Sequence, residues 1–116
     1  MRYDFEQLEV YQQAMDFAEQ IFEFTKSFPS QLQFSLGDQL RRASLSICNN
    51  VAEGSQKHGA AKRQFYGYAL GSARECVPML QLAVRLKLFN QEEYRYFDEA
   101  GFRITSMLYK LIRSVK

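Results

Sequence analysis

The chain has no tryptophan, one histidine, two cysteines and two prolines, and no glycine-rich phosphate loop. Each scarcity removes a class of protein. Two cysteines, Cys48 and Cys76, without a CxxC pair support neither a disulfide framework nor a zinc site. The lone histidine, His58, has no serine or cysteine nucleophile arranged with it, and the ExxH spacing of di-iron bundles is absent. No apolar run approaches the roughly 20 residues that span a membrane. The N-terminal residues lack the apolar core of a signal peptide. A reduced, cytoplasmic, non-enzymatic protein without metal or cofactor is the expectation. With so little proline and only six glycines in 116 residues, long irregular segments are not expected, and the length fits one domain over residues 1–116.

What is present is charge in blocks. The net charge is +2, but residues 1–38 carry two bases and seven acids, net −5. Residues 39–91 carry eight bases and two acids, net +6, and residues 92–116 are net +1. A basic middle suits an acidic partner such as nucleic acid. Alternatively, the acidic first segment neutralises it, within the fold or across a contact between copies of the chain.

Apolar residues recur at helical spacing throughout. A first helix is predicted from about Leu8 to Ser27, with Leu8, Tyr11, Met15, Ala18, Phe22 and Thr25 inward, Ala14, Ile21 and Phe28 beside them, and Asp4 near enough to help cap it. Phe28-Pro29 ends it. A second helix is predicted from about Ser35, as N-cap, to Gly54. A third runs from about Ala60 into the 80s, with a kink or break near Arg74–Pro78 because an internal proline loses a hydrogen bond. Its core side is read as Phe65, Tyr68, Ala69, Cys76, Leu80, Ala83 and Leu86 or Val84. Gly71-Ser72-Ala73 offers a neighbouring backbone a close approach. Asn90 with Glu93 three residues later is a capping-box start for a fourth helix to about Ser114. Four amphipathic helices with short links predict an all-α fold, an antiparallel up-down-up-down four-helix bundle.

The second helix carries two stripes. Leu36, Leu40, Ala43, Ile47 and Val51 form an apolar one, and Gln39, Arg42, Ser46, Asn50 and Glu53 form a polar one beside it. Pairing this helix antiparallel with the third lets Arg42 reach Glu75 and Glu53 reach Lys62 or Arg63. Ser46 and Asn50 then fall near Ser72, Tyr66 and Tyr68, which makes a structural polar seam. Outside the seam, Arg41, Lys57, Lys62, Arg63 and Arg74 are the candidate nucleic-acid-binding residues, since cations neutralise phosphates and nearby aromatics stack on bases.

Three segments resemble a known family. Residues 5–11, FEQLEVY, resemble the FxxLxVW opening of the 23S rRNA intervening-sequence proteins. Residues 39–54, QLRRASLSICNNVAEG, resemble that family's QLRRAxxSIxxNIAEG signature, and residues 69–75, ALGSARE, its AxGSxxE segment. The resemblance implies a left-handed antiparallel bundle assembled as a homopentameric ring. The family is similar to the accessory proteins of diversity-generating retroelements, and this implies RNA or DNA and a nucleic-acid enzyme such as a reverse transcriptase as partners. The expected function is therefore nucleic-acid binding by a homo-oligomer through the second and third helices. The alternative is an assembly or protein-interaction scaffold that binds no nucleic acid.

Overall fold

A computed structural model describes residues 2–116. Four long helices pack side by side: α1 (Glu9–Thr25), α2 (Asp38–Ser55), α3 (Gly59–Arg85) and α4 (Gln91–Ser114). No strand occurs among the described residues. A 3-10 turn, Asp4–Gln7, precedes α1. The bundle is elongated, about 44 × 23 × 22 Å. Each helix packs on its neighbours in sequence, and α4 closes back on α1. The short connections make successive helices antiparallel.

Local chemistry sets the helix ends. At α4 the expected capping box forms: Glu93 N–H donates to Asn90 Oδ1 at 2.8 Å, and Asn90 N–H donates to Glu93 Oε1 at 2.8 Å. At the end of α3, Lys87 takes a left-handed φ of 64°. Its N–H bonds Val84 O and the next N–H, of Leu88, bonds Ala83 O, both at 2.9 Å, which is a Schellman closure on a residue other than glycine. Asp4 does not cap α1. It belongs to the 3-10 turn, and α1 begins after the extended Leu8 with no side-chain cap.

The α1–α2 link differs most from expectation. Ser30–Leu32 forms one helical turn, Gln33–Gly37 winds as a π-helix, and this runs directly into α2. Ser35 is therefore no N-cap, and its hydroxyl donates back to Gln31 O and Leu32 O. Helix α3 also differs, because it passes through Pro78 without a break. Pro78 is exposed, so its ring faces solvent and the lost backbone bond lies on the outer side.

The core takes one stripe from each helix. From α2 it takes Leu40, Ala43, Ile47 and Val51, as the spacing predicts, with Leu36 just before the helix. On helix α1 the expected Ala14, Ala18, Ile21 and Thr25 are buried, but Val10 and Phe17 join them in place of Met15 and Phe22, which are exposed, so the inward stripe is turned toward Phe17. The buried set is the one that brings Phe17 edge-on to Phe97, with ring centres 5.9 Å apart. On α3 the predicted Ala69, Cys76, Leu80 and Ala83 are buried and Val84 packs against them, while Tyr66 takes the inward place expected for Tyr68, and Tyr68 and Leu86 are exposed. Phe24, Phe28, Phe89 and Phe97 form an aromatic cluster at the α1–α4 end. Truncating a fully buried ring such as Phe97 should cost about 3–5 kcal/mol.

Candidate nucleic-acid interface

The first half of the polar stripe of α2, Gln39, Arg42 and Ser46, faces Ser72, Glu75 and Met79 of α3 across one shallow cleft. The Ser72 hydroxyl donates to Ser46 Oγ at 2.9 Å, and Asn50 Nδ2 donates to Ser46 O and Oγ at 2.9 and 3.0 Å. Hydroxyl-to-hydroxyl bonding across the pair fixes its register. The expected ion pairs do not bridge the helices. Arg42 pairs within its own helix with Asp38 at 2.9 Å, and its side chain is 80% exposed. Glu53 likewise pairs with Lys57 at 3.3 Å. Both are (i, i+4) pairs, which form locally without ordering a second helix. Glu75 is exposed, and no salt bridge is present for it among the described residues.

Glycine makes the seam's lower end possible. A Cβ on Gly54 would stand 2.8 Å from Tyr66 Cδ1 and 3.2 Å from Phe65 Cβ, so α2 and α3 touch there only because residue 54 has no side chain. Gly71 does not play this part, since nothing lies within 4 Å of the corresponding position.

The five candidate cations do not share one surface. Arg41 is half-buried: its Nη2 donates to Gln33 O at 2.6 Å and its Nη1 to Gln33 Oε1 at 3.2 Å, so its guanidinium fastens the π-helical link. Lys57 pairs with Glu53 and lies 5.7 Å from the Phe65 ring centre. Lys62 lies 5.6 Å from the Tyr66 ring centre and donates to Ser55 O at 3.4 Å. These two hold the α2–α3 turn. Arg63 and Arg74 are exposed and lie on the other flank of α3, the one turned to α4, where Arg74 donates to the Tyr109 hydroxyl at 3.4 Å.

That flank carries a longer basic row. Arg63, Arg74 and Arg85 are spaced by eleven residues, three helical turns, and all are exposed. On α4, exposed Arg95, Phe102, Tyr109 and Arg113 recur at intervals of seven, seven and four. The rows meet over a cleft of about 160 Å³, walled by Arg74, Val77, Asp98, Phe102 and Thr105 and floored by Phe17 and Phe97. Asp98 is the one acid in that lining. Phe102 is 72% exposed. The eleven-residue arginine spacing and an aromatic outside the apolar stripe of α4 were the available sequence signals for this face.

Elsewhere the chemistry is quiet. Burial pushes the Cys48 thiol up to about 11 and the Cys76 thiol up to about 12, so neither is a thiolate near neutrality. Among the described residues no three His, Cys, Asp or Glu side chains gather as a metal site. No described helix is long and apolar enough to cross a membrane.

A four-helix bundle with one arginine-rich, aromatic-bearing face is the class that these observations define. Residues 6–110 match the 23S rRNA-intervening sequence proteins, and the chain belongs to that family. In fold it is similar to a crystal structure of a protein of unknown function from the S23 ribosomal protein family of Bacteroides thetaiotaomicron VPI-5482, with a TM-score of 0.83. The two are 24% identical over 90% of this chain and 96% of the other. No curated protein matches the sequence.

Proposed function

We propose that this chain is a non-enzymatic, homo-oligomeric bundle that binds RNA or DNA, with the α3–α4 face as its phosphate-contacting surface. The observation that carries this reading is the alignment of Arg63, Arg74 and Arg85 on α3 beside Arg95 and Arg113 on α4, all exposed. From Arg63 to Arg85 the row spans about 33 Å at 1.5 Å per residue, enough for several successive phosphates. Arginine forms planar, paired bonds to phosphate oxygens and stays charged. The cations of α2 and of the turn after it contribute less, because Arg41, Arg42 and Lys57 are engaged with Gln33, Asp38 and Glu53.

The test is binding to random-sequence RNA and DNA across a salt series. Affinity should fall steeply with salt, with a log–log slope of about −0.9 per neutralised phosphate on duplex and about −0.7 on single strands. Arg63→Ala and Arg74→Ala should each flatten that slope by about one. No retention at low salt by the wild-type protein would remove nucleic acid from the reading and leave the scaffold alternative. Self-association, as a pentamer in the ring that the family resemblance implies, draws support from Phe34, which is 91% exposed.

A further inference from the structure

We infer that the α3–α4 face selects single-stranded nucleic acid, with unpaired bases stacked on Phe102 and Tyr109 while the flanking arginines hold the phosphates. The inference rests on the nucleic-acid reading above and specifies its ligand.

Three observations converge on it. First, this fold buries Phe17, Phe28, Phe89 and Phe97 almost completely, yet leaves Phe102 at 72% exposure in the middle of the arginine rows. Second, Phe102 and Tyr109 lie two turns apart on one face of α4, and the Tyr109 hydroxyl is held by Arg74. The side chain that would grip a phosphate thus also steadies an aromatic platform. Third, the cleft at Phe102 is mostly apolar, with Val77 on its wall and Phe17 and Phe97 beneath. An apolar cleft rimmed by a guanidinium accommodates a flat ring joined to an anion. Asp98 stands on the same cleft and repels phosphate, which favours seating the base, and not the backbone, at that point.

Duplex cannot use these features. Its bases are stacked on one another and only its phosphates reach a flat helical face, so Phe102 would gain nothing from it. A single strand presents phosphates and free π-faces alternately, and aromatic stacking is tolerant of sequence. Base readout is not part of the inference, which needs only stacking and phosphate contact.

The experiment is fluorescence anisotropy at one fixed salt concentration, with an unstructured oligo-dT, an oligo-rU and a hairpin duplex of matched charge. The proteins are wild type, Phe102→Ala, Phe102→Trp and Arg74→Ala. Wild type should bind both single strands at least about tenfold more tightly than the duplex. Phe102→Ala should weaken single-strand binding about five- to hundred-fold, in line with the loss of one stacked base. It should leave duplex binding and the salt slope unchanged, and Phe102→Trp should restore affinity. Arg74→Ala should weaken every ligand. Equal affinity for strand and duplex with no effect of Phe102→Ala would overturn the inference while leaving the nucleic-acid reading standing. Absence of binding to any oligonucleotide would defeat that reading itself. A change in the sedimentation of ligand-free Phe102→Ala would also overturn the inference, by marking the face as a contact between copies of the chain. Since Phe102 is exposed, its variants should keep the wild-type circular dichroism.

Discussion

Arg41 holds Gln33 by both ends of one residue, its backbone carbonyl at 2.6 Å and its side-chain oxygen at 3.2 Å. Gln33 in turn donates through Nε2 to Thr25 O at 2.7 Å and Phe28 O at 2.9 Å, closing the carbonyl end of α1. The side chain of one helix therefore reaches the last turn of another through a single glutamine. Gly37 makes room for it, since a Cβ there would come within 3.1 Å of Arg41 Nη1. Hydrogen bonds to a charged group contribute about 1.5–3 kcal/mol, and here two are partly buried. Arg41→Ala should lower stability by about 2 kcal/mol, or the melting temperature by roughly 8 °C for a domain of this size. Arg41→Lys should recover only part of the loss, because an ammonium cannot span both acceptors. A calorimetric scan of Arg41→Ala that superimposes on wild type would remove Arg41 from this structural role.

The family signature ends on Gly54, whose contact with Tyr66 sets the opposite behaviour of two glycine substitutions. At Gly54 a methyl group meets a buried ring at 2.8 Å, and overpacking of this kind costs about 1–3 kcal/mol. The gain in helix propensity returns at most about 1 kcal/mol. Gly54→Ala should thus be net destabilising by about 1 kcal/mol. At Gly67 nothing lies within 4 Å, so Gly67→Ala keeps the propensity gain and should stabilise by about 0.5–1 kcal/mol. Urea midpoints that shift in the same direction for both variants would contradict the contact assigned to Gly54.

The comparison of Met15 with Ile47 shows how much of the fold could be read in advance. Ile47 lies on a helix whose apolar residues occupy one stripe, so its burial followed from spacing alone. Helix α1 is apolar over a wider arc, and both the Met15–Phe22 and the Phe17–Ile21 stripes satisfy helical periodicity. The choice fell to Phe97 on α4, a contact that periodicity on one helix does not contain. The π-helical link was invisible for a similar reason, because Arg41 and Gln33 are eight residues apart and their bond crosses an element boundary. Likewise, Ser46 was placed near Ser72 by antiparallel pairing, whereas Arg42 found Asp38 one turn away before it could reach Glu75. The α3–α4 arginine face needed the order of the helices around the bundle.

Arg42 provides a direct check of that last point. An exposed (i, i+4) pair contributes about 0.3–0.5 kcal/mol, and the side chain is 80% exposed. Arg42→Ala should therefore change stability by less than about 0.5 kcal/mol, and added salt should shrink even that. Ser72→Ala should cost more, about 1 kcal/mol, since it removes the donor to Ser46 Oγ at the part-buried helix contact. A chemical melt in which Arg42→Ala is the worse of the two would restore a bridging role for the arginine.

The buried thiols make stability depend on alkaline pH. An unfolded cysteine titrates near 9.0, while Cys48 is pushed up to about 11 and Cys76 to about 12, chiefly by burial. Burial moves Tyr66 in the same direction. Above about pH 9 the unfolded chain releases protons that the native chain keeps, so stability falls as pH rises. The contribution is fully present below the unfolded value and is lost progressively as pH climbs through the native ones. Urea midpoints should be nearly level between about pH 7 and 8.5 and should drop by about pH 10.5. Cys48→Ala/Cys76→Ala should flatten the drop. A double variant with the wild-type alkaline slope would show that the thiols are not its source.

Phe34 sits on the π-helical link at 91% exposure, and the residues that follow it, Ser35 and Leu36, line a cleft of about 390 Å³ with Leu32, Gln39, Pro78, Met79, Leu82 and Leu86. An aromatic ring left in water and an apolar cleft are both unsatisfied surfaces. In the homo-oligomer proposed above, a second copy of the chain would satisfy both if its own Phe34 region packed on them, and burying one such ring contributes about 1.5–3 kcal/mol. Phe34→Glu removes that gain and adds a charge that would have to be desolvated. Within one chain Phe34 supports little, so its loss should not unfold the bundle. The expected result is a smaller species by sedimentation velocity for Phe34→Glu, with unchanged helical circular dichroism. Phe34→Leu should retain most of the assembly, because it keeps the apolar contact. Identical sedimentation of Phe34→Glu and wild type across a concentration series would remove Phe34 from any contact between copies.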